Sequence, residues 1–217
     1  MTPTARLFIA LIFATLGPSA LWTLAAETGF GQALTLRELA RMQGGKGSLM
    51  SDVQMPFATL DVLTEGADVI VQGRIVKVEP RLSKDEMVVW TFVTLRSDLQ
   101  MLKGVGGGGT QSRPAFTPEL TFFVSGGTVR EGGLEMTYRS NIDPDPPLKV
   151  GDEVIAFLTK SDEPQGWRVQ YGPYGLLRVQ GRHVTAANKD FARRNHLESD
   201  SLDELRRRVQ EVVAARR

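Results

Sequence analysis

The spacing of apolar positions changes twice along this chain. From Leu34 to Gly66 it is helical, from Ala67 to Thr185 it alternates, and after Ser201 it is helical again. The first region predicts two short helices. In "LTLRELARM", Thr35 and Glu38 have capping-box spacing, and Leu34 and Leu39 occupy the staple positions. "FATLDVLTEG" predicts a second helix, stopped by Gly66. The intervening "GGKGSLMSD", Gly44 to Asp52, reads as a flexible linker.

The alternating region predicts five or six strands. "ADVIVQGRIVKVEP" is one, and its internal Gly73 suggests a bulge or bend. "MVVWTFVTLRSDLQML" is a long second strand with Val89, Val93, Leu95, Leu99 and Met101 toward the core. "ELTFFVSGG" and "LEMTYR" follow. "DEVIAFLTK" is apolar on both faces, as a strand buried between two layers should be. "WRVQYGPYGLLRVQGRHV" reads as two short strands around the Gly172–Gly175 turn. In the closing "SLDELRRRVQEVVAARR", Ser201 and Glu204 repeat the capping-box spacing, and Leu202, Leu205, Val209 and Val212 form one stripe. No strand–helix alternation is present. The expected fold is therefore mainly β: a small antiparallel barrel with N-terminal helices and a C-terminal amphipathic helix.

The first residues add an address. Arg6 precedes the apolar run Leu7 to Leu16, and Gly17-Pro18 breaks that run before "SALWTLAAE". A basic start, apolar middle and small residues at Thr23 and Ala25 make residues 1–25 a secretory signal, with cleavage before Ala26. An uncleaved anchor over residues 7–26 is the alternative. The expected organisation is signal 1–25, helical extension and linker 26–66, β-barrel 67–185 and helical segment 186–217. Absence of cysteine in an exported chain points to a bacterial periplasmic or secreted protein, without disulfides or thiolate metal sites.

Three stretches, "ADVIVQGRIVKV", "TFVTLRSDLQMLKG" and "VGDEVIAFL", resemble the netrin-type or TIMP-like variant of the OB-fold. The resemblance covers Ala67 to Gly181 and implies a five-stranded barrel. It also implies an exported binding module. Members of that family are normally disulfide-bonded, and TIMP-like inhibition uses an N-terminal cysteine to chelate the protease zinc. This chain has no cysteine, so that mechanism does not carry over.

Candidate chemistry is sparse. Gly104, Gly106 and Gly109 match G-x-G-x-x-G, but "TQSRPAFTPELTFF" follows where a phosphate-binding helix should start. Residues 104–118 are read as a slack loop, and no cofactor is implied. Asn141, Asp143 and Asp145 stand at alternate positions like the first ligands of a calcium loop, with Asp152 at position 12. Pro146 occupies the place of the needed glycine, so a proline-rich turn is the plainer reading. The histidines, His183 and His196, belong to no hydrolase motif, and a hydrolase is the least favoured reading. Arg206 to Arg208 are read as a solvated helix face. A net charge of +1 gives no field that would favour nucleic acid.

The remaining feature is a stripe. Val88, Trp90, Phe92, Thr94 and Arg96 point away from the inferred core. Such a face is either a stacking platform, as OB-folds use for single strands and sugars, or the seat of a terminal helix. A covering helix is the expectation. The leading functional expectation is then a non-enzymatic module binding a protein partner. The candidate surface comprises Trp90, Phe92, Arg96, Lys103 and Arg113, with loops 104–118 and 140–149. Glycan or small-polymer binding is the alternative, favoured if the Trp90–Arg96 face is open.

Overall fold

The computed structural model describes residues 34–54, 58–96, 100–103, 119–141, 143–162, 164–186 and 201–215. The signal, the 104–118 loop with Arg113, Leu99 and His196 lie outside them, as does the side chain of Met101. The elements are α1 (Leu36–Met42), β1 (Lys46–Ser51), α2 (Leu60–Gly66), β2 (Val69–Leu82), β3 (Val89–Arg96), β4 (Gln100–Lys103), β5 (Glu119–Ser125), β6 (Gly127–Glu131), β7 (Leu134–Ser140), β8 (Glu153–Asp162), β9 (Gln165–Val169), β10 (Leu176–Gln180), β11 (His183–Ala186) and α3 (Leu202–Ala214). The protein is mainly β, as the alternation predicts.

Five strands pair into a closed ring. β2 pairs antiparallel with β3, β3 with β5, β5 in parallel with β9, β9 antiparallel with β8, and β8 returns to β2. β2 is long enough to carry partners on both edges: its first half pairs with β4 and β8, its second half with β3. The bend falls between Ile75 and Lys77, where the register with β3 shifts. It does not fall at Gly73, which stays paired with Val154.

Inside the ring, Val71, Ile75, Val93, Leu95, Phe122, Ala156 and Leu158 form one core. Outside it, Ile70, Ile155, Phe157 and Leu177 meet Leu60 and Leu63 of α2 and Leu205 and Val209 of α3. β8 thus buries both faces, which is why "DEVIAFLTK" shows no alternation. Each fully buried aliphatic or Phe side chain contributes about 1.5–3 kcal/mol.

The N-terminal segment departs from expectation. Residues 44–52 are not a linker: Lys46–Ser51 form β1, paired in parallel with β7 in a second sheet of order β1-β7-β6. Helix α1 covers this sheet through Leu36 and Ala40 against Met136 and Val89. Gly47 makes the approach possible, since a Cβ there would lie 2.6 Å from the Ala40 nitrogen. The expected α1 capping box is present, with Thr35 and Glu38 each bonding the other's backbone N–H. Leu34, however, is exposed rather than stapled. The expected five or six strands also fall short of the ten, β2 to β11, found among the described residues: the long second strand divides into β3 and β4, which pair with different halves of β2, and β6 and β11 are separate short strands. Gly132 and Gly133, at φ 57° and 78°, make the two-residue turn that joins β6 to β7.

Candidate binding groove

Alternation on β3 places Val89, Val93 and Leu95 inside and leaves Trp90, Phe92 and Thr94 half-buried outside, as predicted. The β3–β5 register sets Trp90 opposite Ser125 and Phe92 opposite Phe123 on the same outer face. Phe123 is 3% exposed, its ring edge-on to Trp90 at 5.4 Å and tilted to Phe92 at 5.9 Å. The Arg81 guanidinium stacks over Phe92 at 4.8 Å, so Phe92 already has a cationic neighbour. Thr94 and Thr121 share a 3.0 Å hydroxyl contact along the same face.

The outer face continues onto β9 and β8. Phe123 is in register with Arg168, and Arg168 with Thr159. Beyond Phe157 the outer positions of β8 turn polar, and Thr159 and Ser161 replace the apolar residues that seat the helices. A groove of about 610 Å³ lies here. Trp90, Phe123, Thr159, Ser161 and Arg168 line it, and Val53, Tyr138, Pro144 and Tyr171 close it. Tyr171 holds a left-handed φ of 51° and is followed by Gly172 at 55°. Tertiary packing must fix a bulky residue in that region, and Tyr171 rests on the core beneath α2 and α3.

Among the described residues, no helix takes up the expected cover. The packing of α2 and α3 is centred on Ile70, Ile155, Phe157 and Leu177, and that of α1 on Met136 and Val89. Neither cluster includes Trp90 or Phe92. Among the described residues, the Trp90 end of the stripe opens into the groove.

No family model and no curated protein matches this chain.

The other sequence candidates are dispersed. Arg96 is exposed at the end of β3, opposite Glu119. Lys103 stands away from the groove, its Nζ donating to the carbonyls of Thr64 (2.9 Å) and Glu65 (3.1 Å) at the end of α2. A cation bonding a helix's last carbonyls is a cap. The Asn141 amide donates to Asp52 and Val53 and its oxygen accepts from the Val53 N–H at 3.0 Å, tying the segment after β1 to the end of β7. Asp143 accepts from the Ser140 N–H (2.8 Å) and the Ser125 hydroxyl (3.2 Å). Burial holds its carboxyl above the ordinary aspartate range, against the pull of these donors and of Arg139. Asp145 is exposed. No group of three His, Cys, Asp or Glu side chains able to hold a metal occurs among the described residues.

A second cavity, of about 690 Å³, is bordered by Asp143, Asn141, Thr91, Thr128 and Thr137. Its threonines are bonded to one another or to nearby backbone: Thr128 to Thr137 at 3.0 Å, Thr91 to the Gly126 carbonyl at 2.5 Å. Its wall also holds Tyr138 and Arg139, but with them the carboxylates of Asp143 and Asp145, whereas among the described residues no carboxylate lines the Trp90 groove. His183 is exposed and bridges Ser201 through its backbone. No Asp or Glu hydrogen-bonds its ring among the described residues.

Alternation on β5 and β9, read as carefully as on β3, would have found Phe123 and Arg168. Bringing Thr159, Ser161 and Tyr171 beside them required the pairings.

Proposed function

We propose that this chain is an exported, non-enzymatic binding module on an OB-like barrel of netrin or TIMP type, and that the groove over Trp90 receives a glycan. The five-stranded ring supports the barrel reading, because OB-folds are small Greek-key barrels that bind oligosaccharides across the strand 2–strand 3 face. Here those strands are β3 and β5, the pair that carries Trp90 and Phe123. The N-terminal address supports export. No helix among the described residues is long and apolar enough to cross a membrane.

One observation carries the glycan reading: an aromatic side chain beside hydroxyls and a cation, in a groove that no helix among the described residues covers. The volume is within the range of ligand sites, and an aromatic face with a few polar groups is their usual chemistry. The test is calorimetric titration of the chain with an oligosaccharide panel, alongside Trp90→Ala. A member that binds wild type should lose about 5- to 150-fold on that substitution, the worth of one stacking contact. Absence of binding across the panel refutes the reading.

A protein partner is the second reading. Among the described residues β1 is an edge strand, and its Met50 is 64% exposed. An open edge with an apolar side chain suits strand addition. A protein captured by the wild-type chain and lost with Met50→Lys would favour it.

A further inference from the structure

Resting on the glycan reading, we infer that the ligand is acidic, a sugar polymer bearing carboxylates, and that Arg168 reads the charge. Among the described residues, Arg168 is the groove's single charged lining residue, and no Asp or Glu lines it. Its side chain is exposed, and it makes no ion pair among the described residues. The Asp68 carboxylate, which accepts from the Thr159 hydroxyl and the Lys160 N–H at 3.0 Å each, is not part of the lining. The described lining thus carries one positive charge and no carboxylate, in a chain whose net charge is only +1.

Placement fits the chemistry. Trp90, Phe123 and Arg168 stand on three successive strands of one outer face. With strands about 4.8 Å apart and Trp90 two residues beyond the row that holds Phe92, Phe123 and Arg168, Trp90 and Arg168 are separated by roughly 12 Å, a span that an oligosaccharide bridges. One sugar ring stacks on Trp90 while the guanidinium fork meets a carboxylate farther along. A planar, singly charged carboxylate matches that fork bidentately. A neutral glycan would offer that fork hydroxyl acceptors without the opposite charge, a weaker match.

The experiment titrates the wild-type chain with oligogalacturonate and oligomannuronate, each beside its carboxyl-reduced neutral counterpart and a sulfated counterpart. Arg168→Gln and Trp90→Ala follow the same series. Arg168 is exposed, so its substitution leaves the fold intact, and circular dichroism checks this. An acidic oligomer should bind about tenfold or more tighter than its reduced form, the worth of a charge-assisted hydrogen-bonded pair. Arg168→Gln should erase that difference, and Trp90→Ala should weaken both forms. Equal binding of acidic and reduced forms, sensitive to Trp90, overturns the inference and leaves the glycan reading standing. A preference that survives Arg168→Gln overturns the role given to Arg168. Tighter binding of the sulfated form overturns the carboxylate. Failure of every oligomer overturns both the inference and the reading beneath it.

Discussion

Arg206, Arg207 and Arg208 are neighbours of one type on one helix, yet the fold gives the first two opposite weights. The Arg206 side chain is 24% exposed. Its Nε and Nη2 donate at 3.1 and 2.8 Å to Oε1 of Gln72, which is 5% exposed and in turn donates to Glu153 at 2.6 Å. This is not the solvated charge the sequence suggests but a tie between α3 and β2. Arg206→Met keeps most of the side chain's apolar stem and removes both donors. The buried Gln72 oxygen is then left unpaired, at a cost of about 1–3 kcal/mol. In a chain of this size each kcal/mol lowers Tm by about 2–4 °C, so the expected fall is roughly 2–12 °C. Calorimetry reads it directly.

Arg207 is the control. It holds Glu204 and Glu211 at closer range, and those carboxylates push its pKa upward. Its side chain is 56% exposed, however. Water screens such pairs, so Arg207→Met should leave Tm nearly unchanged. Adding Gln72→Leu to Arg206→Met removes the orphaned oxygen and should recover part of the loss, because replacing both partners by apolar groups is close to neutral. Glu153 is half-exposed and finds water in place of Gln72. If Arg207→Met costs as much as Arg206→Met, or Gln72→Leu deepens the loss, the reasoning from burial is wrong.

Other consequences can be checked on the same instruments. Gly126 has φ +90°, and a Cβ there would lie 2.3 Å from an Asp143 carboxylate oxygen. Gly126→Ala should therefore destabilise by about 1–3 kcal/mol, and an unchanged urea midpoint would refute the tight cradle. Because burial raises the Asp143 pKa, the folded chain holds this proton more tightly than the unfolded chain. The stability from that group is present below the unfolded aspartate value and is lost as pH rises through the folded one. Asp143→Asn should remove this decline, so the wild-type-minus-variant stability difference must fall with pH across that window; a rise would reverse the assignment. Thr35→Ala removes the side-chain acceptor of the α1 capping box and should cost about 1 kcal/mol in chemical denaturation.

Legibility followed the strength of local patterns. The helices α1 and α3 are visible because Thr35–Glu38 and Ser201–Glu204 carry their signal within one turn. The inner face of β3 was visible because alternation is a property of consecutive residues. β1 was not, because "KGSLMS" has few apolar positions and begins after a glycine pair. It becomes a strand only through its parallel partner β7 and the helix above it. The role of Lys103 was hidden for a similar reason, since its acceptors are backbone carbonyls nearly forty positions away.

The groove shows why a site can be less legible than the fold around it. β8 supplies Ile155 and Phe157 to the helices and, two and four positions later, Thr159 and Ser161 to the groove, all on one outer face. Sequence alone shows a strand losing apolar character toward its end, an ordinary pattern for a strand leaving the core. Its meaning comes from the parallel β5–β9 pairing, which sets Arg168 beside Phe123 and so two strands from Trp90 on the same outer face. The helices α2 and α3 stop where the apolar residues stop. The change from Phe157 to Thr159 is thus the boundary between the face that stabilises the ring and the face left to meet a ligand. Moving that boundary tests the division. Thr159→Val and Ser161→Val should extend the apolar surface into the groove, leave the helix-covered core intact and weaken oligosaccharide binding, while Tm falls only by the share of the lost Thr159–Asp68 hydrogen bond.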